Sequence, residues 1–393
     1  MTPPSTPNAA AKAVKAAANG PAAGTAPAVE HRRVPPEALA RPVRVDLNVE
    51  PMDAPPIARR RFLHLAQEKL TCSLAYPRFR RAVEQLGDLD VIEDTAGMSD
   101  DRVAELVREA HVYLAAWGSR RLPLSLAKDR GKLEYVCGIT GSMRDIVPIE
   151  LVRAGVPLSN WGDAPANAVA EGTMLLLLAC VKDVHHRIMH VRRGGWRPGP
   201  GHGGSLFGLR VGVYGCGVIG RRFVELLHPF GAVIRVYDPY ADDLPDYCHN
   251  ARSLRELFEQ CEAIVIHAAL SPETERTVTA ELLALLPDRG IIVNTARGQI
   301  VDNEALFAEL SRGHLRAALD VTDPEELPSD HPARGYENLI LTAHSIEHGW
   351  PRDEHGDTHL ENSERVCLDN LKRYLTGKPL KFLMDPVRYG RST

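Results

Sequence analysis

Val211-Gly212-Val213-Tyr214-Gly215-Cys216-Gly217-Val218-Ile219-Gly220 follows a β-type run and opens a helical one, Arg221 to Leu227, and its reading decides the fold. The spacing is G-x-G-x-x-G. In this arrangement Gly215 permits a tight turn, Gly217 lets the backbone approach a pyrophosphate, and Gly220 lets helix and strand pack closely. A bound anion then rests on the free N–H groups of the helix start. Glycine turns between strand and helix also exist for packing alone, so the context matters. Asp238 closes the next strand, Val233 to Tyr237, at the distance where a carboxylate accepts the ribose hydroxyls of a dinucleotide. Pro239 and Tyr240 follow it rather than a base, so a 2′-phosphate finds no partner and NAD is preferred over NADP. Asp-Pro also opens turns, but the placement of Asp238 after the second strand favours the ribose role.

Outward from this turn, the 393 residues, 44% hydrophobic and 25% charged, supply apolar material for more than one globular domain. A net charge of −4 with no dense Lys/Arg stripe gives no electrostatic footprint for nucleic acid or an anionic membrane. The longest apolar run, Met174 to Val181, falls far short of the ~20 residues a bilayer requires and reads as core or subunit interface. The seven cysteines are scattered, with no C-x-x-C pair, which suits a reducing cytoplasm. Residues 1–42, rich in Ala, Pro, Gly, Ser and Thr, read as a disordered tail.

Order is expected from the alternation of Val43, Val45, Leu47 and Val49, followed by a helix over 73–86 and strands over 110–116 and 133–137. A long helix over 167–192 leads to six strands, at 209–214, 233–237, 263–267, 290–294, 317–321 and 339–342. A helix capped by Asp302 stops at Gly313, and a last helix, 360–375, stops at Gly377 and returns toward the first part of the chain. Alternating strands and helices imply a doubly wound parallel α/β sheet of Rossmann type.

Three segments beyond the cradle follow strands of that sheet: Asn294-Thr295-Ala296-Arg297-Gly298, Asp320-Val321-Thr322-Asp323-Pro324-Glu325, and Leu341-Thr342-Ala343-His344. Loops at the carboxyl ends of such strands line the ligand crevice. Reduction of a 2-oxo acid needs a cation for the carboxylate, an acid for the carbonyl oxygen, and a group that holds that acid. Arg297, His344 and Glu325 supply these in turn. Taken singly, each reads more readily as a surface cation, a strand-end histidine or a solvated carboxylate. Their joint placement beside a dinucleotide signature favours chemistry.

At these residues the chain resembles the D-isomer-specific 2-hydroxyacid dehydrogenases over roughly residues 110–380. The carriers are the glycine turn, the run His267-Ala268-Ala269-Leu270-Ser271-Pro272-Glu273-Thr274, Asn294 to Gly298 with Val301-Asp302, Pro324-Glu325, and Leu341 to His344. The resemblance implies Arg297 as substrate anchor, His344 as general acid/base and Glu325 as its partner. It implies cofactor contacts from Gly215, Gly217, Val218, Ile219, Gly220, Asp238, His267, Ala268, Ala269, Thr295, Ala296, Asp320 and His344. It implies a smaller, flavodoxin-like α/β substrate domain, residues 43–163 with 350–393, beside an NAD-binding Rossmann domain, 164–349. A substrate loop at Thr140, Gly141 and Ser142, and a homodimer through the helix near 167–192, follow from the same likeness.

The chain departs from the family where Ala343 replaces the usual Pro before the histidine, where Ser345-Ile346-Glu347-His348 follow it, and in a substrate loop without the usual Asp. These departures leave the substrate open. They also keep in play a second function class, a dehydrogenase-like NAD(H)-sensing interaction protein with little turnover. No metal site is expected, although His186/His190 and His355/His359 stand at helical spacing; a polar helix face is the default for both.

Overall fold

The computed structural model describes residues 59–70, 72–197, 203–241, 243–346 and 360–391, so the expected tail over 1–42 and the strand over 43–49 lie outside the described residues. In chain order the first elements are β1 (Arg61–Leu65), α1 (Pro77–Glu84), β2 (Asp88–Ile92), α2 (Asp100–Arg108), β3 (Val112–Ala115), β4 (Tyr135–Gly138), α3 (Ile149–Arg153) and β5 (Leu158–Ser159). Next come α4 (Ala166–Val181), α5 (Val184–Arg192), β6 (Arg210–Tyr214), α6 (Val218–Leu227), β7 (Val233–Tyr237), β8 (Cys248–Asn250), α7 (Leu254–Gln260) and β9 (Ala263–Ile266). The series closes with α8 (Ala280–Leu283), β10 (Gly290–Asn294), α9 (Asn303–Ser311), β11 (Leu315–Leu319), β12 (Leu339–Leu341), α10 (Asn362–Leu375) and α11 (Pro386–Arg391).

Among the described residues the strands form two sheets, one of five in the order β2-β1-β3-β4-β5 and one of seven in the order β12-β11-β10-β9-β6-β7-β8. Every strand pair in them is parallel. The larger sheet is the doubly wound Rossmann arrangement and the smaller has the flavodoxin-like order. β3, β4, β9 and β10 are buried along their whole length, as parallel strands with helices on both faces must be.

In the smaller sheet, period-two alternation sorts side chains onto two faces. Leu63, Leu65, Tyr113 and Val136 pack with α2 and α3, whereas Phe62, Val112, Leu114, Tyr135 and Cys137 meet Cys367, Leu368 and Leu371 of α10. The helix expected over 360–375 therefore does return to the first sheet, as α10. It opens with a reciprocal capping box between Glu361 and Glu364.

Several expected elements are corrected. The helix expected over 167–192 is two helices, because Asp183 adopts φ 54° and ψ 42° and closes α4. Aspartate tolerates this left-handed conformation better than most residues, and its carboxylate meets Arg289 at 3.4 Å. The 73–86 helix is a 3₁₀ turn at Ser73–Ala75 followed by α1, Pro77 standing in the first turn where its missing N–H costs nothing. The strand expected at 317–321 begins and ends two residues earlier, since Asp320 is drawn into the loop beyond it. β1, β2, β5 and β8 are not among the expected strands; β2 and the short β8 are edge strands whose partial exposure blurs the hydrophobic pattern.

Candidate active site

The glycine turn sits where the order of the larger sheet reverses, between β6 and β9. Gly215 has φ +90°, and a Cβ there would lie 2.5 Å from the Ala268 nitrogen, so only glycine lets the turn cross the end of β9. At Gly220 a Cβ would lie 2.3 Å from the Gly215 carbonyl oxygen, which is the close helix–strand packing expected of the third glycine. At Gly217 a Cβ would meet nothing within 4 Å, so the backbone here faces open space. No side chain caps α6, whose first N–H groups are left to meet an anion. Asp238 Oδ2 accepts from the Cys216 amide at 2.7 Å and Oδ1 from the Tyr240 amide at 2.9 Å. A carboxylate has about four acceptor positions, so these bonds fix the group and leave capacity for hydroxyls. An open glycine backbone, an uncapped helix start and a fixed carboxylate fit a dinucleotide.

Around the cradle, the Val218 side chain is exposed at the mouth. Burial pushes the Cys216 thiol up to about 11, which suits a small packing residue. The His267 amide donates to the Tyr214 carbonyl at 2.7 Å, and its ring lies 5.2 Å from that of Phe223. Its Nε2 is enclosed without a partner, and burial lowers the ring to about 3, so His267 is neutral. Ala269 turns its carbonyl to the Thr274 hydroxyl at 2.6 Å.

The three chemistry-bearing loops leave neighbouring strands at one level, since Asn294 pairs with Leu319 and Leu319 with Leu341. Arg297 and Gly298 lie against the middle loop so closely that a Cβ on Gly298 would sit 1.9 Å from the Thr322 carbonyl oxygen. Asn294 ties its own loop by accepting from the Ala296 amide at 3.0 Å and donating to the Arg297 carbonyl at 2.9 Å. Arg297 Nη1 donates to the Ala296 carbonyl at 2.7 Å. The Thr295 hydroxyl, buried, pairs with Thr173 of α4 at 2.8 Å.

His344 Nδ1 lies 2.5 Å from Glu325 Oε1, so the imidazole and carboxylate named from sequence do meet. The turn that presents His344 is unusual: Ala343 and His344 have φ values of 50° and 52°. Proline locks φ near −65° and cannot adopt this turn, which accounts for Ala343 here. Left-handed residues with side chains cost roughly 1–2 kcal/mol each. Asp320 offsets that cost: its carbonyl accepts the His344 amide at 2.5 Å, and its Oδ1 accepts the Thr342 hydroxyl at 2.6 Å and the Ser345 and Ile346 amides at 2.9 and 3.2 Å. Asp320 is therefore the organiser of the histidine turn, a role sequence reading did not give it. Glu347 and His348 lie outside the described residues.

On the smaller sheet, the loop after β4 carries Thr140, Gly141 and Ser142. Thr140 is fully buried with its hydroxyl unpartnered, and Gly141 has its carbonyl held by Asn160 Nδ2 at 3.0 Å. A Cβ at Gly141 would fall 2.7 Å from the Trp161 ring nitrogen.

Residues 174–345 match the family model described as the NAD binding domain of D-isomer specific 2-hydroxyacid dehydrogenase. This segment is therefore similar in sequence to the NAD-binding domain of that family. The chain is 31% identical over 276 residues to the D-3-phosphoglycerate dehydrogenase of Methanocaldococcus jannaschii, covering 68% of this chain and 52% of that protein, so it spans about half of that relative. It is 26% identical over 310 residues to the hydroxypyruvate reductase of Blautia hydrogenotrophica, covering 76% of this chain and 93% of that one. The crystal structure of the TT0316 protein from Thermus thermophilus superposes with a TM-score of 0.67 at 28% identity, over 82% of this chain and 99% of that chain. The matched segment begins within α4 and ends just past His344, so it holds the glycine turn, Asp238 and all three chemistry-bearing loops. Thr140 to Ser142 lie outside it.

Proposed function

We propose that this protein is an NAD-dependent oxidoreductase acting on a small D-2-hydroxy or 2-oxo acid. The observation that carries the reading is the short His344–Glu325 contact at the carboxyl edge of the sheet, in a loop packed against the one that bears Arg297. When bound, reduced cofactor supplies the hydride for the carbonyl carbon. With Nδ1 engaged by Glu325, His344 has Nε2 left to give a proton to the carbonyl oxygen, or to take one in the reverse direction. Arg297 holds the carboxylate through its planar fork. Thr140, Gly141 and Ser142 line the opposite side, and Asp238 selects NAD by accepting ribose hydroxyls. Residues 43–163 and 350–393 form the substrate domain in this reading and 164–349 the cofactor domain.

The exposed Leu175, Val184, Ile188 and Val191 on α4 and α5 support a homodimer through those helices. The cysteines are all free, in keeping with the cytoplasm. Among the described residues no helix is long and apolar enough to cross a membrane.

The test is NADH oxidation on a panel of glyoxylate, hydroxypyruvate and pyruvate. His344→Ala is expected to abolish turnover with NADH binding retained, and Arg297→Ala to raise KM and slow turnover. Tight NADH binding with no oxidation on any acid overturns the reading and leaves a cofactor-sensing scaffold.

A further inference from the structure

The substrate loop continues from Ser142 through Met143 into Arg144, and this arginine touches both sides of the crevice. Its own carbonyl is held by Arg121 Nη1 at 3.0 Å, which fixes the base of the loop on the smaller sheet. Its Nη1 donates to the carbonyl of Leu270 at 3.4 Å, in the loop that leaves β9 of the larger sheet. Its Nη2 donates to the carbonyl of Gly390 in α11. One guanidinium thus joins the substrate loop, a loop at the cofactor edge and the C-terminal helix.

The acceptor at Leu270 is rigid. Thr274 Oγ1 donates to the Ala269 carbonyl at 2.6 Å and accepts from the Ser271 amide at 2.8 Å, so a hydroxyl-centred turn brackets Leu270. The same loop begins at Ala268, which lies against Gly215 of the cradle. A bond from Arg144 to Leu270 therefore references the substrate loop to the glycine turn itself.

We propose that Arg144 is a positioning residue that sets the width of the crevice, holding the loop at Thr140 to Ser142 at a fixed distance from the cofactor edge. The inference rests on the dehydrogenase reading above. In that reading the acid is held partly by the smaller sheet and partly by Arg297 and His344 on the larger one. Hydride transfer requires reacting atoms about 3–3.5 Å apart, and a misplacement of about 1 Å costs on the order of 100-fold in rate. A fork with several donors is suited to hold two carbonyls at once, which a lysine ammonium on a flexible stem does less well. Uncharged Gln reaches neither.

The test compares wild type with Arg144→Lys and Arg144→Gln by steady-state kinetics, NADH binding and hydrogen–deuterium exchange. For Arg144→Gln, kcat on the best 2-oxo acid should fall about 10- to 100-fold with NADH affinity within about threefold of wild type, because the glycine turn stays intact. Exchange at 139–145 and at 267–271 should rise together, with or without cofactor. Arg144→Lys should fall between the two in both readouts, and it carries the test alone should the Gln variant not fold. A kcat within twofold of wild type, or exchange that rises in one loop only or in neither, overturns the proposal while leaving the dehydrogenase reading in place. If wild type reduces none of the acids, that reading fails, and coupled exchange of the two loops still decides whether Arg144 bridges them.

Discussion

Gly298→Ala tests how tightly the geometry of the proposed active site is set by packing alone. The added methyl would sit 1.9 Å from the Thr322 carbonyl oxygen, 2.0 Å from its carbon and 2.7 Å from the Asp323 nitrogen. Ordinary contact needs roughly 3.5 Å, so starting from 1.9 Å the two loops must part by about 1.6 Å. Neither loop gives way freely: Asn303 Nδ2 holds the Gly298 and Val301 carbonyls at 2.9 and 2.8 Å, and Thr322 Oγ1 holds the Pro324 carbonyl at 2.8 Å. Overpacking of this kind costs about 1–3 kcal/mol, a drop of a few degrees in Tm for a domain of this size. The protein should therefore remain folded at 25 °C. Catalysis should suffer far more, because Arg297 is carried on one displaced loop and Glu325 on the other; kcat/KM should fall on the order of 100-fold. The assay is NADH oxidation with the best 2-oxo acid, beside NADH binding by fluorescence and thermal unfolding. A variant with kcat/KM within about threefold of wild type and an unchanged Tm would refute the reasoning.

Two further outcomes are expected. Asp238→Asn removes the charge proposed to face the ribose and should weaken NADH binding by about tenfold, the scale of one charge-assisted hydrogen bond. NADPH should be affected less, so the ratio of the two dissociation constants narrows; an unchanged ratio counts against Asp238 as the selector. His267 is about 3 in the folded protein and lies near 6.5 when unfolded. The unfolded chain thus binds more protons between those values, and acidification from pH 6.5 toward 3 withdraws stability. His267→Leu should reduce the slope of unfolding free energy against pH by up to one proton, about 1.4 kcal/mol per pH unit, measured by urea titrations at pH 6.5, 5.5 and 4.5. Parallel slopes for the two proteins would contradict an enclosed, neutral imidazole.

Much of the cofactor sheet was legible because its signals are local. The strand Val233–Tyr237 has the bounds that its run of β-branched and aromatic residues marks, and Gly290–Asn294 those of its apolar run. The cap on α9 is the Asp302 side chain accepting from the Ala305 amide at 3.1 Å, as its position before an apolar run implied. Edge strands were harder: Cys248–Asn250 is half exposed and carries no periodic apolar face. Asp183 hid a helix break inside an apolar-rich stretch, since a left-handed residue that is not glycine leaves no compositional mark.

Arg297, Glu325 and His344 could be put forward as candidates from sequence because residue type and placement after successive strands need no coordinates. The chain also determined, through period and spacing, that the glycine turn would lie between a strand and a helix. Only the tertiary structure decided that His344 sits on a left-handed turn held by Asp320, that Gly298 admits no side chain, and that Arg144 reaches across to Leu270. Those facts depend on segments between 22 and 126 positions apart coming within hydrogen-bond reach or van der Waals contact. No local propensity encodes such a distance; it exists once neighbouring strands, or in the case of Arg144 the two sheets, have packed and their loop ends have met.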